Sequence, residues 1–431
     1  MARRVVITGM GWVTPLGWDL EQVWQRLLNA DSGVEPTTVF DARTFPTQFA
    51  AEVKNFDLES VLGQHYEAHK TASRNSAFAL GAAEMAWQHA GLNGSTGVDP
   101  EMIGVYLGGG EGPIDFDNFA VAAVAGWDAE QRKLNAVRWA EVAYEKLSAV
   151  NELEQDPNCA AHHIACRFDA QGPNLNTLTA CAASTQAIGE ATQIIRRGDA
   201  DTMITGGTHS MIHPLGVTGF NRLTALSRRN DSPSTASRPF DQSRDGFVLG
   251  EGAGILIIEE LETARRRGAP ILAEIVGFGS TADAFRVTDM HEEGRGPMAA
   301  MRNALADADL KPEDIDYISA HGTGTEENDK IETLAIRSLF GERAKKVPIS
   351  SVKSMLGHVI AGAGAVELIT CVLAIRDGMI PPTSNYSTPD PNCDLDYVPN
   401  KPRKTPVKTC LSNSFGFGGH NACILLKRFE G

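Results

Sequence analysis

The 431-residue chain has no run of about 18 apolar residues, so no membrane-spanning helix is expected. Its opening, MARRVVITGMGWVTPLG, carries two arginines but no apolar stretch of secretory-signal length. Positive charge is in deficit: 39 Lys and Arg stand against 54 Asp and Glu, a formal net charge of −15. Broad binding to nucleic acid or to an anionic membrane needs the opposite balance and is not expected. Cysteine is sparse, and the seven positions (159, 166, 181, 371, 393, 410, 423) are odd in number and scattered. That is the usage of reduced thiols in a cytoplasm, not of a disulfide framework. Two nucleotide signatures are incomplete. Gly9-Met-Gly11 lacks its third glycine, whose place holds Thr14, and is read as a tight turn. Gly108-Gly109-Gly110-Glu111-Gly112 lacks the Lys-Ser/Thr ending of a P-loop and is read as a turn or a close backbone approach.

What is abundant is glycine, 42 residues, which allows close backbone packing and tight turns. Strand and helix patterns alternate. Strands are expected over 3–9 (ended by Gly9), 103–107, 174–179, 201–206, 254–260, 315–320, 347–351, 409–414 and 422–428. Helices are expected near 20–29 and over 71–92, 182–197, 298–308, 328–340 and 360–377. Residues 112–157, rich in Ala and charge, read as helices and loops laid over the main body. Alternation of this kind predicts an α/β fold with parallel or mixed sheets covered by helices. Both halves show a strand, a functional turn, a small-residue helix and a polar stop. That pattern suggests an internal duplication: an N-terminal half, 1–260, and a C-terminal half, 261–431.

Several segments carry candidate chemistry. Cys159, His163 and Cys166 fall on one helical face, a spacing open to a zinc site but more typical of core packing, and no fourth ligand is evident. Cys181, in Thr177-Leu-Thr-Ala-Cys-Ala-Ala-Ser-Thr185, sits where a strand meets a helix. Free amides and the helix dipole there favour a thiolate; a buried structural cysteine is the alternative. His321 ends another strand, followed by Gly322, Thr323, Gly324 and Thr325. His358 follows a third, with Lys353 five residues before it. Asn413-Ser-Phe415-Gly-Phe417-Gly-Gly-His420-Asn421 is a glycine-flanked aromatic turn. One Cys and two His at strand ends fit acyl transfer followed by carbon–carbon bond formation. The thiolate would take an acyl group as a thioester. The imidazoles would stabilise the enolate of a decarboxylating malonyl thioester, and the amides of Cys181 and Phe417 would hold the tetrahedral oxyanion.

The segments TACAAST, SRPFDQSRDGFVLGEGAG, AHGTGTEEND, SVKSMLGH and NSFGFGGHN, in that order, resemble the elongating type II β-ketoacyl-acyl carrier protein synthases, from residue 3 to about 428. The resemblance implies a thiolase-like fold, five layers αβαβα from two pseudo-symmetric halves, working as a homodimer. It also implies an acyltransferase that condenses an acyl-enzyme with malonyl-acyl carrier protein in fatty acid chain elongation. By its pattern Cys181 matches the acylated nucleophile, His321 and His358 the decarboxylation and condensation pair, Lys353 its electrostatic support and Glu367 the acidic residue beneath. Thr323 and Thr325 match hydroxyls that contact the pantetheine arm, Phe417 matches the gate, and Phe415 lines the site. No cofactor is implied beyond a structural monovalent cation that some members hold near positions matching Ser319, Glu367, Ser412 and Asn413. The partner implied is an acyl carrier protein, and Lys70, Arg74, Arg222, Arg228 and Arg229 are docking candidates or ordinary solvated charges. Arg238-Pro-Phe240-Asp241 with Arg244-Asp245-Gly246 reads as a structural network.

Three departures set this chain apart. Glu111 stands where the pattern has an apolar residue deep in the acyl pocket, and a carboxylate there is costly unless paired. Residues 112–157 run longer than the usual connection. His420 replaces a Thr, and Arg286 falls where a His is common. Alternatives are a polyketide or polyene ketosynthase subunit, or a non-catalytic partner that only shapes a heterodimer's pocket. A thiolase would need a second cysteine in NSFGFGGHN, and an initiating synthase would not have His358.

Overall fold

Ten strands carry the fold in the computed structural model, which describes residues 3–93, 97–110 and 112–431. They are β1 (Val5–Val13), β2 (Ile103–Gly109), β3 (Asn174–Thr177), β4 (Thr202–His209), β5 (Gly252–Glu260), β6 (Ala273–Ala282), β7 (Tyr317–Ser319), β8 (Ile349–Ser350), β9 (Thr409–Gly416) and β10 (His420–Lys427). The first five run in the order β3-β2-β4-β5-β1 and the second five in the order β8-β7-β9-β10-β6. Counted within each half, both orders are third, second, fourth, fifth, first. The directions also repeat, with two parallel pairings at the outer end followed by two antiparallel ones. The halves meet where Val5–Ile7 pair antiparallel with Ala273–Ile275.

Helices fill three layers around the sheets. α1 (Arg74–His89) and α2 (Cys159–Phe168) cover the outer face of the first half, where Trp87 stacks on Phe168 at 4.7 Å. α3 (Ala183–Arg197) and α6 (Ala363–Asp377) lie between the halves, and α4 (Arg295–Asp307) with α5 (Glu326–Phe340) covers the far side. This is the expected αβαβα arrangement. α6 is buried from Ala363 through Ile375, as a helix between two sheets must be. One buried cluster spans both halves, joining Val5, Ile188 and Leu256 to Tyr317, Ile369 and Leu426.

Glycine caused the two clearest misreadings of strand. Gly9 does not end β1, and Gly9-Met-Gly11 is no turn: the strand runs on to Val13. A Cβ at Gly9 or Gly11 would collide with the carbonyl of Ala86 or Ala82, so these glycines let α1 lie flat on the strand. β6 was not expected at all, because Gly277 and Gly279 interrupt its apolar pattern. They do the same work, against the Ala304 and Ala300 carbonyls of α4. Residues 112–157 do form helices, Phe116–Gly126 and Ala136–Lys146, but their outward side stays open: Val124, Val137 and Tyr144 are exposed, Tyr144 at 96%.

Candidate active site

β3 stops at Thr177, and a tight turn over Ala180–Ala182 leads into α3, which puts Cys181 at the threshold of that helix. Ala180 has φ 48°, a left-handed conformation that strains an ordinary residue and that proteins keep at functional sites. The turn faces Gly416, whose missing side chain leaves the Cys181 amide open: a Cβ there would lie 3.0 Å from both Cys181 N and Thr179 O. The amides of Phe417 and Cys181 itself approach the sulfur and favour its charged form, as does Lys353. Burial outweighs them and pushes the thiol up to about 11. The free amides of this strand-to-helix turn thus favour the thiolate, and burial favours the thiol more strongly.

His358 Nε2 lies 3.0 Å from Cys181 Sγ, while its Nδ1 accepts from the Ile360 amide at 3.2 Å. Because Nδ1 is an acceptor, a neutral ring carries its proton on Nε2, facing the sulfur. His321 is oriented likewise. Lys353 Nζ donates to the His321 carbonyl at 2.6 Å and sits 3.4 Å from Nδ1; an ammonium cannot accept, so the His321 proton belongs on Nε2. The two rings stand edge to face at 5.4 Å, and the ligand atoms of Cys181, His321 and His358 all lie within 4.8 Å of one another. Burial and the Lys353 charge hold both imidazoles neutral, well below the usual histidine range.

Lys353 pairs with Glu367 of α6, both side chains only 2% exposed. Burial pushes Glu367 up to about 7, against the opposing pull of Lys353. Glu332 of α5, which sequence reasoning passed over, accepts from the His321 and Gly322 amides, each at 2.8 Å, and so clamps the loop that carries His321. Its signal was an acidic residue on the buried face of a helix, between Ile331 and Ala335. Phe247, also passed over, sets its ring edge to face against His358 at 5.3 Å.

These groups open onto a cavity of about 740 Å³. Phe415 and Phe417 line it, Phe415 with its ring 5.9 Å from that of His321. Thr323 and Thr325 also line it, their hydroxyls 2.9 Å apart. His420 is in the lining too. The Arg238–Gly246 segment braces this wall: Arg244 binds Asp390 at 2.6 Å and the carbonyls of Thr325 and Glu326, and Gly246 N donates to Gly324 O. Glu111 lies outside the described residues.

Other candidates scatter. Cys159 is buried, His163 bonds to His69 and Glu154, and Cys166 is exposed, so the three do not share one buried face. Arg74 is tied to Glu251 and to the Val53 carbonyl and is not a free docking charge. Lys70 pairs with Glu67. Arg222 and Arg228 are exposed beside Thr224, which reaches the cavity mouth, and Arg229 donates to the Ser243 carbonyl. Ser319 Oγ, Ser412 Oγ and Glu367 Oε2 are buried without hydrogen-bond partners among the described residues. Two hydroxyls and a carboxylate oxygen are the hard donors a monovalent cation takes. The Asn413 side chain is engaged by Glu332 and Cys423.

Residues 2–264 match the family described as "Beta-ketoacyl synthase, N-terminal domain", and residues 272–387 match "Beta-ketoacyl synthase, C-terminal domain". The chain belongs to the β-ketoacyl synthase family. It is 43% identical over 434 residues to the 3-oxoacyl-[acyl-carrier-protein] synthase 2 of Coxiella burnetii, covering 99% of each chain. Among solved structures, a type II polyketide ketosynthase in the AntDE:AntF complex superposes with TM-score 0.87 at 34% identity over 100% of both chains. That complex contains the acyl carrier protein and a bound hexaketide. A β-ketoacyl synthase from Burkholderia phymatum superposes with TM-score 0.88 at 32% identity, covering 99% of this chain and 100% of the other.

Proposed function

We infer that this chain is a 3-oxoacyl-acyl carrier protein synthase, an acyltransferase that elongates acyl chains by decarboxylative condensation. The observation that carries the reading is the convergence of one thiol and two oriented imidazoles in a buried cavity. In the first step the Cys181 sulfur attacks the acyl thioester on the carrier. Its proton passes to the departing carrier thiol, and the acyl group remains on sulfur. The amides of Cys181 and Phe417 would hold the oxyanion of that step. In the second step malonyl carrier thioester loses CO₂, and the electron pair of the broken C–C bond becomes an enolate. His321 and His358, each with its proton on Nε2, donate to the enolate oxygen. The enolate carbon attacks the acyl carbonyl, Cys181 leaves, and a proton from solvent restores the thiol. The product is 3-oxoacyl carrier thioester. Lys353, held by Glu367, keeps His321 in the donating tautomer. Thr323 and Thr325 would meet the pantetheine arm. Phe417, between Gly416 and Gly418, would gate the acyl pocket.

The surfaces support three further readings. Arg222 and Arg228 offer a local basic patch to an acidic carrier protein. β3 forms the outer edge of its sheet with Leu175 and Leu178 exposed, and this edge, with the open side of residues 112–157, is where a second copy would pair. Ser319, Ser412 and Glu367 would hold a monovalent cation, whose charge would offset the buried carboxylates. No helix among the described residues is long and apolar enough to cross a membrane. Free thiols at all seven cysteines fit work in the cytoplasm. The two halves, 1–260 and 261–431, are read as products of a duplication. A purely pocket-shaping role is disfavoured by the intact Cys181–His358 contact.

The test is intact-protein mass spectrometry with acyl-carrier thioesters, before and after addition of malonyl carrier protein. Cys181→Ala should take no acyl group. His321→Ala and His358→Ala should still acylate in part but make no 3-oxoacyl product. Normal condensation by either His variant would refute the assignment.

A further inference from the structure

His209 ends β4 and faces the catalytic cavity, yet none of the steps above uses it. Its neighbour Thr208 pairs with Gly109, and its ring lies against Gly110: a Cβ there would sit 2.7 Å from His209 Nδ1. Leu178, Ala180, Met211, Phe220 and Ile360 are among the residues that line the same cavity. The side chain is only 4% exposed, and neither ring nitrogen has a hydrogen-bond partner among the described residues. Burial, with a smaller contribution from His213, holds the ring neutral, its pKa lowered to about 4. A neutral imidazole presents one N–H and one lone pair. Buried polar groups are almost always paired, and the described residues of the pocket wall offer His209 no mate. A hydrocarbon chain lying along this wall could satisfy neither nitrogen. A keto oxygen could accept from the N–H, and a hydroxyl could serve either nitrogen.

We propose that His209 determines specificity, selecting acyl groups that bear a keto or hydroxyl oxygen over plain hydrocarbon acyl groups of the same length. The proposal rests on the condensing reading, since it takes this cavity to hold the acyl group of Cys181. A site that pairs a substrate oxygen discriminates strongly against the analogue lacking it, because the protein group is then left buried and unpaired.

The test uses the full-length protein and four pantetheine thioesters: octanoyl, and octanoyl with a single keto group at C3, C5 or C7. The readout is kcat/KM for acylation of Cys181. At least one keto chain should be favoured over octanoyl by about tenfold or more. His209→Phe should bring that ratio within about threefold of unity while octanoyl transfer persists, and His209→Gln, which keeps a donor and an acceptor, should retain most of the preference. A residue that merely supports the fold would lower all four rates together and leave the ratio alone. The proposal is overturned if no keto chain is favoured in the unsubstituted protein, or if His209→Phe keeps the original ratio. Should His209→Phe fail to fold, the unsubstituted protein and His209→Gln still decide. If none of the four thioesters acylates Cys181, the condensing reading falls and this proposal with it. Acylation without discrimination overturns this proposal alone.

Discussion

Removing one member of the Lys353–Glu367 pair should cost far more than its share of removing both. Each side chain is 2% exposed, and the ammonium also donates to the His321 carbonyl at 2.6 Å. Breaking a buried pair by deleting one partner strands a charge and costs ~3–5 kcal/mol, whereas replacing both partners with uncharged groups of similar volume is often close to neutral. The measurement belongs at pH 8, above the value of about 7 to which burial pushes Glu367, so that its carboxylate is charged. Lys353→Met and Glu367→Gln are each expected to destabilise by ~3–5 kcal/mol in urea unfolding followed by tryptophan fluorescence. The double variant should be at least ~2 kcal/mol more stable than the two single losses predict together. Activity should separate from stability. Lys353→Met frees His321 Nδ1 from its cation and removes the reason for Nε2 to carry the proton. Malonyl decarboxylation should then fall by ~10²–10³-fold while Cys181 still takes an acyl group. Additivity of the two substitutions to within ~0.5 kcal/mol would refute the pair as the unit that holds His321.

Three further outcomes follow from the geometry. With Cys181 raised to about 11, its alkylation by iodoacetamide in a Cys166→Ser background should accelerate steadily with pH from 7 to 10, and a plateau near pH 7 would contradict a buried thiol. Gly416→Ala would press a Cβ against the Cys181 amide and should slow acylation by ~10²-fold in a stopped-flow acyl-transfer assay, with circular dichroism unchanged. Arg222→Glu combined with Arg228→Glu should raise KM for carrier-borne thioesters about tenfold while leaving free pantetheine thioesters unaffected, because only the carrier protein would meet the patch.

Motifs in which residue type and position both carry information could be read from the sequence. Cys181 and His321 lie just past strand ends, His358 follows the short helix Lys353–Leu356 rather than the strand expected before it, and the folded chain brings all three to one place. Tertiary partners could not be read. The apolar alternation that marks a strand is interrupted by Gly277 and Gly279, and their use appears only when the Ala300 and Ala304 carbonyls of α4 lie across them. Glu332 was not singled out, because its mates are main-chain amides, of His321 and Gly322, that carry no side-chain signal. The environment of the Cys181 thiol was legible only in part. A helix terminus is visible in sequence, but the depth at which it is buried is not.

The two halves repeat one topology yet contribute unlike parts to the site. The strained turn at Ala180 has a counterpart at Ile360, φ 48° and 40°. Each opens a three-residue turn, Ala180–Ala182 or Ile360–Gly362, and then a 15-residue central helix that stops at a left-handed glycine, Gly198 or Gly378. The residue matching Cys181 is therefore Ala361, not His358, which lies three positions earlier. A positive φ is costlier for β-branched Ile360 than for Ala180, so something must hold it. Its own amide supplies one reason: it donates to His358 Nδ1 and so directs the other nitrogen's proton at Cys181. One copy of the turn thus presents the nucleophile, and the other fixes the tautomer of the imidazole that faces it. Ala361 meanwhile keeps the matching place small within the cavity wall.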